Sequence, residues 1–154
     1  MDVSESLVWI VTIVLLLYTI PSCYFDIKYR EIPKGFWNPM VIICAPITTV
    51  LYMVGYYPWY LALLSVGFFL LYLTMALHGW YEGADFWYLA FISLFLVINP
   101  LTGHILLTFS FAIFLLASVV GFALICNAIP TMKSAQFPMM VPISLALCLT
   151  VAIA

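Results

Sequence analysis

Charge is what this sequence has least of: four basic and six acidic residues in 154, or 6%. A water-soluble domain needs far more polar surface than that, whereas a lipid environment removes the requirement. Four cations also cannot build a nucleic-acid-binding surface, so no nucleic-acid partner is expected. The four cysteines (Cys23, Cys44, Cys126 and Cys148) form no Cys-x-x-Cys pair, so a structural zinc site is not expected. They read as small buried hydrophobes. There is no Gly-rich phosphate loop, no low-complexity run, no internal repeat and no hydrophilic linker, so residues 1–154 read as a single domain. The opening MDVSES is acidic, whereas a secretory signal starts with positive charge, so the first apolar segment reads as a retained span.

What fills the chain instead is apolar sequence, 68% of it. Crossing a hydrocarbon core of about 30 Å takes roughly 20 apolar residues in a helix. Five segments approach that length: Leu7–Phe25, Pro39–Tyr57, Trp59–His78, Ile105–Cys126 and Pro138–Ala154. A sixth, Phe86–Ile98, is shorter. Helix is the only secondary structure that satisfies its own backbone in lipid without closing a barrel. The expectation is an all-α membrane protein of about six transmembrane helices, with Tyr56, Tyr57, Trp59 and Tyr60 at one interface. Trp80, Tyr81, Trp87 and Tyr88 mark the other.

The basic residues orient the bundle. With six spans, Lys28, Arg30, Lys34 and Lys133 all fall on one side, which the positive-inside rule makes cytoplasmic. Both termini then lie outside, in a multi-pass protein of the cell membrane. His78 and His104 fall on opposite sides, so they are not expected to share a metal. The short fourth segment must reach back through Gly83-Ala84-Asp85 to cross, which draws Asp85 to membrane depth. Asn99-Pro100 is expected to end that helix, with Gly103 turning the chain into the fifth.

Of the six acidic residues, Asp2 and Glu5 lie outside, while Asp26, Glu31, Glu82 and Asp85 share the cytoplasmic side. An aspartate in the bilayer costs about 2.5–3.5 kcal/mol at mid-depth on insertion scales, so its presence calls for a reason. Taken singly, Asp26 could pair with Lys28 or Arg30, and Asp85 could serve its helix dipole. Together they form a pair with a known chemical use. Two close carboxyls share one proton; the ionised one takes a proton from water while the other polarises a carbonyl and protonates the leaving amine. Amide hydrolysis then needs neither metal nor cofactor.

Residues 24–37, YFDIKYREIPKGFW, resemble the Asp-x-x-x-Arg-x-Ile-Pro signature of type IV prepilin leader peptidases, including archaeal preflagellin peptidases. GADF at 83–86 resembles that family's second aspartate motif, a variant of Gly-x-Gly-Asp. FPMMVPISLAL at 137–147 resembles its proline-spaced last helix. The resemblance implies an intramembrane aspartyl endopeptidase, with Asp26 and Asp85 as catalytic aspartates. It implies supporting positions at Arg30, Pro33 and Gly83; Glu31 and Glu82, beside the aspartates on the same side, are candidate substrate-binding residues by their position alone. Its partner would be a membrane-anchored pilin-like or archaellin-like precursor, whose short basic leader Glu31 and Glu82 could attract. The chain departs from the pattern at Glu82 and Ala84, where glycines are usual, and at Phe86-Trp87, where a lysine often follows. It lacks the cysteine-rich loop of bacterial members, which implies a peptidase of the compact archaeal kind without methylating activity. The alternative is a non-catalytic membrane assembly or transport component, or an inactive relative of the peptidases.

Overall fold

The structure is a computed structural model that describes residues 2–29, 31–33, 35–78, 84–128 and 137–153. The described residues form helices and connecting turns, with no strand. The helices are α1 (Val3–Tyr29), α2 (Asn38–Met53), α3 (Trp59–Leu77), α4 (Ala84–Phe95), α5 (Pro100–Ala128) and α6 (Met140–Ile153). Three of them, α1, α3 and α5, are long and apolar enough to cross a membrane, while α2, α4 and α6 are shorter apolar helices. The chain is an all-α membrane protein.

Side-chain contacts give the direction of each helix. Phe25 and Phe36 meet edge to face at 5.6 Å, so the end of α1 lies beside the start of α2. Trp37 stacks on Tyr88 at 5.0 Å, and the Tyr57 hydroxyl donates to the Val97 carbonyl, so α2 and α4 run parallel. Cys23 of α1 touches Met140 and Ser144 at the start of α6. Phe137, just before α6, meets Phe122 near the end of α5 at 5.6 Å. One end of the bundle therefore collects the ends of α1, α3 and α5 and the starts of α2, α4 and α6. Lys28, in the last turn of α1, belongs to that end; Arg30, Lys34 and Lys133 lie outside the described residues.

The core lies where α1, α2, α4 and α6 converge. Val11, Leu15, Met40, Cys44, Tyr88, Leu89, Ile92, Met140, Ile143 and Leu147 are sealed from solvent there. Outward faces are equally apolar, with Leu17, Ile20, Phe109, Leu116 and Leu124 all exposed as a lipid-facing surface requires. Several hydroxyls within the helices bond back to the preceding turn, as Thr12 does to Val8, Thr108 to His104 and Thr150 to Ala146. Such bonds satisfy the polar atom without a partner helix.

Several boundaries differ from the expected ones. The first helix continues four residues past Phe25, carrying Asp26 and Lys28 on the helix rather than in a loop. The second ends at Met53, where Val54 caps it and Gly55 takes a left-handed φ of 72°. The fourth begins at Ala84, so Asp85 does fall in its first turn, but it ends at Phe95. The fifth begins at Pro100 instead of Ile105. Proline suits that first position because its missing N–H would have no helical partner. Asn99, at φ 36°, makes the turn expected of Gly103. Gly103 is instead a helical residue pressed against the preceding segment: a Cβ there would stand 2.7 Å from the Ile98 carbonyl oxygen.

Candidate active site

Asp26 sits in the last turn of α1, and its side chain is buried, 9% exposed. Burial of a charged residue at a helix end needs compensation. The Met140 backbone N–H supplies part of it, donating to Asp26 Oδ2 at 3.0 Å. This N–H belongs to the first residue of α6, where no carbonyl of its own helix is available. Three residues before Asp26, on the same face of α1, the Cys23 thiol reaches the Met140 carbonyl at 3.6 Å and Ser144 Oγ at 3.0 Å. The Met140 backbone is thus held by α1 at both its N–H and its carbonyl.

Asp85 stands in the first turn of α4, half-buried, where the helix dipole favours a negative group. One turn further along α4, Tyr88 is fully buried and lies 3.0 Å from Thr19 Oγ1 of α1. Thr19 directs its own proton to the Leu15 carbonyl, so Tyr88 donates. This tie sets the register of two antiparallel helices. Asp26 is seven residues beyond Thr19, about 10 Å along the axis, and returns to the same face of α1. Asp85 is three residues before Tyr88, about 4–5 Å toward the same end. Side chains on a helix lean toward its N-terminus. Asp26 therefore leans back into the bundle while Asp85 leans out toward the level of Asp26.

Other residues singled out from the sequence are less involved. Lys28 does not turn to Asp26; it is exposed, with Nζ 2.6 Å from the Tyr24 hydroxyl and within about 5 Å of the Tyr24 and Tyr29 rings. Glu31 is exposed after the end of α1. Pro33 is exposed too, and its carbonyl accepts the Phe36 N–H at 3.1 Å, closing a turn in which Gly35 has φ 81°. Only glycine adopts that angle without strain. Trp87 faces outward, 51% exposed. Arg30, Glu82 and Gly83 lie outside the described residues.

His104 is buried at the opposite end of the bundle, 3.0 Å from Ser65 Oγ and stacked on Phe68 at 4.8 Å. His78 follows α3 thirteen residues after Ser65, about 20 Å away along the axis. Among the described residues, no group of three or more His, Cys, Asp or Glu side chains could hold a metal. An apolar groove of about 840 Å³ runs between α3 and α5, lined by Leu71, Tyr72, Met75, Phe111 and Leu115. It reaches Met139, the neighbour of the residue that bonds Asp26.

Sequence reasoning missed the contributions of Met140, Cys23, Thr19 and Tyr88. A backbone N–H carries no side-chain signal; only the prolines at 138 and 142 hinted that something specific happens where α6 begins. Tyr88 read as an interfacial aromatic, although it is fully buried. No curated protein and no solved structure matches the chain. A family model does, that of the type IV leader peptidase family, over residues 10–126. The matched segment holds both aspartates and stops before α6, so the FPMMVPISLAL resemblance lies outside it. With most of its length covered by that match, the chain belongs to the type IV leader peptidase family.

Proposed function

We propose that this peptidase is of the aspartyl type, with Asp26 and Asp85 as its working pair. Its substrate would be a membrane-anchored pilin-like or archaellin-like precursor, cut after a short basic leader at the cytoplasmic membrane face. The observation that supports the reading is the Thr19–Tyr88 tie, because it sets α1 and α4 in a register that has the two aspartate-bearing turns at one end of the bundle. Lys28 at that end, and the sequence positions of Arg30, Lys34 and Lys133 between spans on the same side, support a cytoplasmic orientation.

In the reaction, one carboxylate takes a proton from water as the oxygen attacks the scissile carbonyl. The other carboxyl polarises that carbonyl and then gives its proton to the departing amine. The proton removed from water replaces the one donated, so the pair ends with the single shared proton it began with. Glu31, exposed beside the site, and Glu82 add negative charge that attracts the basic leader. This attraction weakens with salt, since exposed charges are screened over about 8 Å at physiological ionic strength.

The test is leader removal from a candidate precursor in detergent or liposomes, read by gel shift. Asp26→Asn and Asp85→Asn are each expected to abolish cleavage while the protein stays monodisperse. The double variant should be no worse than either single, because the two groups act as one unit. Glu31→Gln should slow capture at low salt but keep turnover at saturating precursor. Full cleavage by a well-folded Asp85→Asn protein would overturn the aspartyl reading in favour of a non-catalytic membrane component.

A further inference from the structure

We propose that the first turn of α6 is the positioning element for Asp26, acting through the Met140 peptide N–H. This rests on the aspartyl reading above and extends it to a segment beyond the family-matched residues 10–126. Asp26 lies in the final turn of α1, where the helix ends three residues later. A side chain at such a position needs an external contact to stay in one rotamer. One such contact comes from 114 residues away in sequence, at 3.0 Å.

The geometry suits positioning better than mere packing. Cys23 and Asp26 lie three residues apart on one face of α1 and hold the backbone of the same residue, the thiol at the Met140 carbonyl and the carboxylate at the Met140 N–H, on two successive peptide units. Cys23 also reaches Ser144, one turn further along α6. Two contacts on the peptides flanking one Cα fix orientation as well as distance. The sequence of α6 prepares this donor. Pro142 has no N–H, which removes one of the unpartnered donors that a helix start normally presents. The Met140 N–H remains and is buried with its residue, 0% exposed. An N–H aimed at a carboxylate makes a charge-assisted bond, stronger than a neutral one.

The cleanest perturbation replaces the residue 140 amide by an ester, using the α-hydroxy acid of methionine. The side chain stays, the N–H is lost, and the Met139 carbonyl that accepts from Ile143 is weakened as any ester carbonyl is, an effect the control ester below shares. The expected result is a fall in kcat of about 10- to 100-fold with KM within about twofold, because the bond orients the carboxylate without binding precursor. An ester at Leu145, a lipid-facing position inside α6, removes an ordinary helical bond and should leave kcat unchanged. Met140→Pro makes the same deletion by mutagenesis at a first helical position, which accommodates proline. Met140→Ala reports the cost of the missing side chain, and Met140→Pro must fall at least tenfold below it. Unchanged kcat in the residue 140 ester, a rise in KM alone, or an equal loss in the Leu145 ester overturns the positioning role. If Asp26→Asn itself still cleaves, the aspartyl reading fails instead, and that result is separate from the ester's.

Discussion

The register tie between α1 and α4 can be cut from either side, and the two cuts should differ in cost. Tyr88→Phe removes the phenol oxygen but keeps the ring stacked on Trp37 at 5.0 Å. Thr19 Oγ1 still donates to the Leu15 carbonyl at 3.1 Å, so no donor is stranded. The loss is one interhelical hydrogen bond, about 0.6–1 kcal/mol in a membrane protein. Thr19→Val removes the acceptor instead. The Tyr88 hydroxyl, on a side chain with no exposure, is then left without the bond it makes to Thr19. Stranding a buried donor costs about 1–3 kcal/mol. The order of stability is therefore wild type, Tyr88→Phe, Thr19→Val. The double variant should sit above Thr19→Val, because removing the stranded hydroxyl relieves its penalty. Tyr88→Ala should be worst, at about 3–5 kcal/mol, since it also empties the ring's place in the core. Reversible unfolding in bicelles measures the series, and cleavage rates follow the register of the aspartates. A Thr19→Val protein as stable as Tyr88→Phe, or a double variant whose losses simply add, would refute the donor assignment and the tie with it.

Two further expectations concern folding and topology. Gly103→Ala should cost about 1–3 kcal/mol by thermal unfolding, since its Cβ would meet the Ile98 carbonyl at 2.7 Å and Leu96 Cδ2 at 3.2 Å. Gly67→Ala, whose Cβ meets nothing within 4 Å, should instead stabilise α3 by up to about 1 kcal/mol, and equal effects at the two sites would contradict the close approach. In intact cells, cysteine at position 2 should react with membrane-impermeant reagents while cysteine at position 34 stays protected; labelling at 34 would reverse the orientation.

Helix number and order could be read from the apolar runs because backbone satisfaction in lipid leaves little choice of structure. Ends were harder to place. Asp26 and Lys28 looked like the start of a loop, yet α1 carries both. The burial of one depends on a peptide N–H in α6, and the other lies among two tyrosines. Gly103 looked like a turn residue because glycine often is, but here its missing side chain serves close packing. The place of Asp85 in the first turn of α4 was legible from the shortness of its apolar run, since a helix that short must recruit the residues before it. The contacts that organise the site were not legible: Thr19 with Tyr88, and Asp26 with Met140, are pairings between distant segments that no local pattern announces.

The unequal helix lengths have a consequence for the surrounding lipid. The 29 residues of α5 extend about 43 Å, while the 12 of α4, 14 of α6 and 16 of α2 extend only about 18–24 Å. A bilayer thick enough for α5 overshoots the short helices, so lipids along that flank must thin or tilt, at a modest cost per ångström of mismatch. The short helices all begin at the aspartate end, where the dimple would form. Water could then meet the carboxylates without a channel through the protein, and a precursor sliding in the membrane would find its peptide bond lifted to the surface at that spot. Bilayer thickness becomes a control on access: thick, sterol-like membranes would oppose the dimple, and thin ones would deepen it.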